Sequence, residues 1–206
     1  MTANDLDKAV TSLVGKLDLG PVMDSLSLVG SGQMLEVLDT SGRANRYYQW
    51  LCCLMQAVKP KQVVELGAAA GISTLLMAEF LPKTSKLVSV DCDPQAWRWM
   101  KKEYPQVIKL LGDDLDMRIW DRDFFPPVRG IDLKETDIWF IDSLHEEDQL
   151  RKELKLYTPF FKKGAIVVFD DIHLNEGMNR VWEELPWDKH DITNPCHYSG
   201  FGVCVI

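Results

Sequence analysis

No apolar run in this chain approaches the roughly 20 residues a helix needs to cross a bilayer. Positive charge is also in short supply. Lys and Arg number 23 against 31 Asp and Glu, a net charge of -8, which argues against broad electrostatic capture of nucleic acid or an anionic membrane while leaving room for a local basic pocket. The five cysteines are odd in number and show no CxxC or other paired metal spacing, so neither a disulfide framework nor a zinc site is expected. Cys52 and Cys53 adjoin within an apolar stretch, as reduced core thiols do. The first residues carry Asp5, Asp7 and Asp18 and lack the apolar core of a secretion signal. The expectation is a cytoplasmic protein. Three nucleotide signatures are missing as well: GxGxxG, GxxxxGK[ST] and an NPPY-like tetrad. Their absence weakens a nicotinamide or flavin reading, a P-loop reading and a nucleic-acid methylation reading in turn.

What is present is rhythm. Residues 1–45 are the least regular, with Leu6, Val10, Leu13, Val14 and Leu17 at helical spacing, a second short amphipathic piece at Val22, Leu26 and Leu28, and turn material at 30–33 and 39–43. This segment is read as an N-terminal cap that covers the sheet, covers a site or forms a homodimer contact; its pattern does not choose. A strongly apolar helix is predicted over 46–59 and stops at Pro60. From there to the C-terminus the chain reads as one domain, 46–206. Strands QVVEL, KLVSVD, VIKLL, DIWFID and GAIVVFD alternate with helical segments, including ISTLLMAEFL, one opening at Pro94, EEDQLRKELKLYTPFF and NEGMNRVWEEL. Such alternation specifies an α/β fold with a mostly parallel sheet and helices on both faces. The last strand, FGVCVI, follows too short a polar linker for a crossover helix and is expected to return antiparallel.

Four acids stand at strand ends: Asp91, Asp142, and Asp170 with Asp171. Buried parallel strands deliver such residues to a crevice along one sheet edge. In ELGAAAGIS, Gly67 suits a tight turn, Gly71 suits close packing, and Ala68, Ala69 and Ala70 leave room for a ligand against the main chain. Amides opening the next helix, with Ser73 beside them, suit an anionic group. Asp91 then falls where a carboxylate accepts both hydrogen bonds of a ribose diol. A nucleoside cofactor without a diphosphate is the natural client. Asp142, Asp170 and Asp171 end neighbouring strands, so their like charges call for protons or a cation, and Mg²⁺ suits an oxygen site with open positions. The alternative is that Asp142 contacts cofactor or caps a helix, and that Asp171 caps the helix near Asn175.

The blocks VVELGAAAGIS, LVSVD, DIWFIDSLHEED and GAIVVFDDIH resemble class I S-adenosylmethionine-dependent methyltransferases. Within that fold they are similar to the metal-dependent small-molecule O-methyltransferases, both the catechol O-methyltransferase and the cephalosporin-hydroxylase-like groups. The resemblance covers roughly residues 45–206 and implies a Rossmann-like, seven-stranded sheet with S-adenosyl-L-methionine as cofactor. It implies Glu65, Gly67 and Ser73 at the methionine end, Asp91 at the ribose, and Gly112, Asp113 and Asp114 beside adenine. It implies Asp142, Asp170 and Asp171 as Mg²⁺ ligands. Catechol methyltransferases carry a lysine near Leu144 and His145, and SLHEED has none. His145 is the first substitute base, and His173 the second. His190 and His197 carry no distinct role. Trp50 and Trp139 read as core, Trp97 or Trp99 as an adenine wall, and Trp120, Phe124, Phe125, Trp182 and Trp187 as packing or as an acceptor pocket. Arg43 and Arg46 are open to an anionic acceptor or a plain surface role. The expectation is methyl transfer to a hydroxyl of a small molecule with adjacent oxygens, Mg²⁺-assisted, with no nucleic-acid or membrane partner. A metal-independent methyltransferase or a non-catalytic cofactor binder is the alternative.

Overall fold

The computed structural model describes residues 1–18, 46–100, 102–121, 123, 128, 130–193 and 199–206. The second amphipathic piece, both early turns, Arg43, Phe124, Phe125, Cys196 and His197 lie outside them. The described residues build one seven-stranded sheet. Its strands are β1 (Gln62–Leu66), β2 (Lys86–Asp91), β3 (Val107–Leu111), β4 (Ile138–Ile141), β5 (Ile166–Asp170), β6 (Asp188–Asp191) and β7 (Phe201–Val205), in the spatial order β3-β2-β1-β4-β5-β7-β6. The first five pair in parallel, and β7 runs antiparallel to both β5 and β6.

The strands are apolar on both faces because helices cover both. Val63, Phe140, Val168 and Phe201 face α1 (Ala3–Thr11), α2 (Arg46–Val58) and α3 (Ile72–Phe80); Val64, Trp139, Val167 and Phe169 face α4 (Glu147–Tyr157) and α5 (Glu176–Glu184). Trp50 and Trp139 are fully buried, as expected for core. Burying each large side chain contributes about 1.5–3 kcal/mol. The helix α2 ends one residue earlier than expected because Lys59 takes a φ of +50° ahead of Pro60. The helix α1 belongs to the same core as β7, with Ala3, Leu6 and Val10 buried and Asp7 accepting from the Trp50 indole at 2.9 Å. His190 on β6 meets the other Asp7 oxygen at 3.4 Å.

One predicted helix is corrected. Residues 94–99 form turns, not the helix expected from Pro94 onward. Their amides are taken elsewhere: Trp97 donates to the Ala69 carbonyl at 3.0 Å and Trp99 to that of Ala70 at 3.1 Å. Trp97 itself sits at a φ of +59°, outside helical geometry.

At the carboxyl edge the parallel strands end in step. Gly67 donates to Val90, Gly112 to Asp91 and Asp142 to Leu66, all at 2.8–3.0 Å. The ends of β1, β2, β3 and β4 are thereby zipped side by side.

Candidate functional site

The turn after β1 is built by backbone. Gly67 has a φ of +88°, and a Cβ there would lie 1.9 Å from the Asp142 carbonyl oxygen, so only glycine fits. Gly71 also sits at +88°, and its missing Cβ admits the Trp97 main chain. Asp91 clamps this turn: one carboxylate oxygen accepts from the Ala68 and Ala69 amides at 2.9 and 2.7 Å, and the other from the Asp93 amide at 2.7 Å.

Behind the turn lies Glu65, fully buried. Its two oxygens accept from the hydroxyls of Ser73, Thr74 and Ser89, each at 2.5 Å. Burial raises its pKa above the ordinary carboxyl range against the pull of those three donors. Glu65 and Ser73, expected at the methionine end of a cofactor, are therefore turned toward each other. Neither lines the adjoining cavity.

That cavity has a volume of about 450 Å³ and is open to solvent along the sheet edge. Its walls come from the Gly67–Ala69 turn, from Asp91 and Cys92, from Gly112 to Asp114, and from Asp142 with Gln149. The volume falls within the range of small-molecule and cofactor sites.

Beyond Asp142 the cavity adjoins a second cluster. Asp142, His145 and Asp170 offer ligand atoms all within 4.8 Å of one another. Burial drives the Asp142 carboxyl well above its ordinary range, reinforced by Asp171 and Glu65. Burial does the same for Asp170, reinforced by Asp142 and Asp171. Like charges held this close demand a proton or a cation. Two hard carboxylates and one imidazole are a donor set that fits a divalent ion.

His145 sits between two acids. Its Nε2 lies 3.1 Å from Asp142 Oδ1 and its Nδ1 3.2 Å from Asp171 Oδ2. Asp171 has a φ of +56°, uncommon for aspartate, and its other oxygen accepts from Ser199 Oγ. Of the three acids expected together, Asp142 and Asp170 gather with His145, and Asp171 meets the other His145 nitrogen. A carboxylate behind a metal-ligating imidazole is the usual way its tautomer and orientation are fixed.

His173 lies apart from this cluster. It is locked at 2.7 Å to Asn179 on one nitrogen and at 2.7 Å to Asp191 on the other. Burial acts to lower its pKa, yet the hydrogen bonds it makes to the Asp191 and Asn179 oxygens outweigh it and raise the value. The aromatic residues are largely packing: Trp182 is buried against Phe169, Trp187 meets Phe161 edge-on, and Trp120 donates to the Tyr157 hydroxyl. Trp97, a candidate adenine wall, instead donates to Ser89 at 2.8 Å.

Two groups were not foreseen. Tyr47 and Tyr48 on α2 stack at 4.0 Å, and both phenols feel Asp142 and Asp170. Burial first raises both pKa values, with Tyr48 and then the carboxylates adding to it at Tyr47, and the carboxylates adding to it at Tyr48 against the pull of its hydrogen bond with Tyr47, so the hydroxyls stay protonated. Glu153 on α4 is fully buried beside Ser143 and Gln149. The signal for Glu153 was available: Leu150, Glu153 and Tyr157 fall on one helical stripe.

A family described as a methyltransferase domain matches residues 64–172, more than half of the chain. The chain belongs to this methyltransferase family. It is 32 % identical over 90 residues to the catechol O-methyltransferase of Niastella koreensis, covering 44 % of this chain and 38 % of that protein. It is 25 % identical over 141 residues to the probable caffeoyl-CoA O-methyltransferase 3 of Dictyostelium discoideum, covering 65 % of this chain and 51 % of that one. The matches thus span about half or less of these curated relatives. In fold it is similar to the O-methyltransferase TomG from Streptomyces achromogenes, involved in tomaymycin synthesis and solved in complex with SAM. That structure has a TM-score of 0.64 at 20 % identity, over 99 % of this chain and 96 % of that one. The fold is that of a class I S-adenosylmethionine-dependent methyltransferase, and the cavity and acid cluster occupy its carboxyl edge. Among the described residues no helix is long and apolar enough to cross a membrane.

Proposed function

We propose that this chain transfers a methyl group from S-adenosylmethionine to a hydroxyl of a small molecule, assisted by a divalent cation such as Mg²⁺. The observation that carries the reading is Asp142, which both lines the cofactor-sized cavity and belongs to the Asp142–His145–Asp170 cluster. It joins a nucleoside site to a cation site.

Asp91, clamped by the turn amides, presents its carboxylate to the ribose diol. Gly112, Asp113 and Asp114 flank the adenine side, and Gly67, Ala68 and Gly71 bring the main chain against the methionine side. Glu65 and Ser73 serve that side indirectly by holding the turn. When bound, the cofactor supplies an already activated methyl group, so alignment is the main task left to the protein. Asp142, Asp170 and His145 would hold the cation, whose charge would lower the pKa of an acceptor hydroxyl. Asp171 orients His145, and Ser199 in turn fixes Asp171. Tyr47 and Tyr48 place protonated phenols near the same acids, where they can donate to an acceptor oxygen.

Methyl transfer from labelled S-adenosylmethionine to a panel of vicinal diols, with and without chelator, tests the proposal. The expected outcome is turnover that stops on chelation and returns with Mg²⁺. Turnover indifferent to chelator would leave a metal-independent methyltransferase. No binding of S-adenosylmethionine by calorimetry would remove the reading altogether.

A further inference from the structure

The wall of the cavity between the segment after β3 and α4 holds a pair of carboxyl groups whose pairing the proposed chemistry leaves unexplained. Asp114 lines the cavity and Glu153 lies directly behind it, fully buried. Gln149 bridges them, its amide donating to Asp114 Oδ1 at 3.1 Å and to Glu153 Oε1 at 2.8 Å. Ser143, the residue after Asp142, donates to the same Glu153 oxygen at 2.5 Å. The remaining oxygens, Asp114 Oδ2 and Glu153 Oε2, are both buried and receive no donor from the described protein atoms. Carboxylate oxygens only accept, so two of them facing inward without a donor carry a large desolvation cost. A single proton between them converts that cost into a short charge-assisted hydrogen bond.

We propose that Glu153 is a positioning residue which shares one proton with Asp114, and that this proton holds the cavity wall in its cofactor-binding shape. The inference rests on the cavity being the S-adenosylmethionine site. Glu153 touches neither cofactor nor acceptor. It acts through Asp114 and Gln149, which line the cavity, and through Ser143, which follows the cluster residue Asp142. The surroundings favour keeping the proton. Asp113 faces Asp114 from the same loop, Tyr157 faces the pair from the last turn of α4 and donates to the Asp114 carbonyl at 2.5 Å, and Cys92 faces it from the end of β2. Burial first, then Asp114, pushes Glu153 up to about 8. Loss of the proton leaves two adjacent buried carboxylates whose repulsion separates the loop from α4. Cofactor affinity then falls as pH rises through that range.

Calorimetry of S-adenosylhomocysteine binding across pH, in the wild type and in Glu153→Gln, tests this. The glutamine amide donates permanently where the proton sat, so it mimics the protonated pair at every pH. The ligand's own amine titrates equally in both proteins and cancels in their ratio. Wild-type affinity is expected to fall about tenfold relative to Glu153→Gln between about pH 6 and about pH 9.5. Parallel profiles for the two proteins would overturn the proposal. Asp114→Asn provides the reciprocal donor, and in the ligand-free protein its melting temperature should lose part of the pH dependence of the wild type, as that of Glu153→Gln should. Identical melting profiles in all three would also overturn it. Should no protein bind the ligand at any pH, the cofactor assignment fails, and the melting profiles still decide whether the proton is shared.

Discussion

Asp91 and Asp170 end strands in opposite halves of one sheet, yet their carboxyl groups meet opposite surroundings. Asp91 is exposed enough to be solvated and accepts three backbone amides, two of them from the turn it faces. Asp170 is buried, and burial together with Asp142 and Asp171 drives its pKa far above the ordinary range. The β1–β2 half is complete as it stands, because main-chain donors already compensate its charge. In the β4–β5 half burial and neighbouring carboxyl groups favour the protonated acids. A carboxylate compensated by amides suits holding a neutral diol, while acids raised by burial and by one another suit exchanging a proton for an ion.

The largest expected effect strikes the seam between the halves. Gly67→Ala would drive a Cβ to within 1.9 Å of the Asp142 carbonyl, in backbone that no side chain adopts easily. The expected cost is about 3 kcal/mol or more of stability, with loss of S-adenosylmethionine binding. Urea unfolding and calorimetry check both; a variant as stable as wild type would break the picture of a zipped edge.

Asp170→Asn separates the halves most sharply. Methyl transfer should fall by about 100-fold or more, as for loss of a metal ligand. The cation-free protein should nevertheless melt about 2–4 °C higher, since one member of a repelling pair is gone. Asp91→Ala should do the reverse, weakening cofactor affinity by about tenfold or more while leaving cation affinity intact. Equal effects of both variants on both ligands would erase the distinction.

The acid cluster also sets a pH dependence. Asp142 and Asp170 are raised in the folded state, so the folded protein binds more protons than the unfolded chain above the ordinary carboxylate range of about 4. Stability contributed by these protons is present at low pH and declines as pH rises toward the raised values. The cation-free protein should therefore melt lower at about pH 8 than at about pH 5, and a saturating divalent ion should reduce the difference. Differential scanning calorimetry reads this directly. The smallest effect belongs to His173, outside both halves: His173→Asn should cost about 1 kcal/mol and leave turnover within about twofold, because only its links to Asn179 and Asp191 are lost.

Much of this was legible in the residues. Runs such as VVEL, WFI and VVFD can only be buried parallel strands, and a parallel sheet must bring their terminal acids to one edge. The family resemblance then followed from the glycine turn and the acid spacing. What the residues hid depended on tertiary competition. The strand β6, DKHD, has no β-branched or aromatic residue and pairs only because β7 offers it an edge. Residues 94–99 carry ordinary helix formers, yet the Trp97 and Trp99 amides are claimed by Ala69 and Ala70. Asp170 and Asp171 are neighbours in sequence, but Asp170 ends the strand and Asp171 takes a left-handed conformation, so their carboxyl groups meet different partners. Tyr47 and Tyr48 stand in a helix legible only as apolar, because nothing local to α2 shows that it docks beside the acids.

The most direct measurement is an anomalous difference map from crystals grown with S-adenosylmethionine and Mn²⁺. The account predicts one strong peak coordinated by Asp142, Asp170 and His145, with the cofactor in the adjoining cavity and its ribose on Asp91. A peak elsewhere, or a cofactor-bound site with no ion between those three residues, would contradict it.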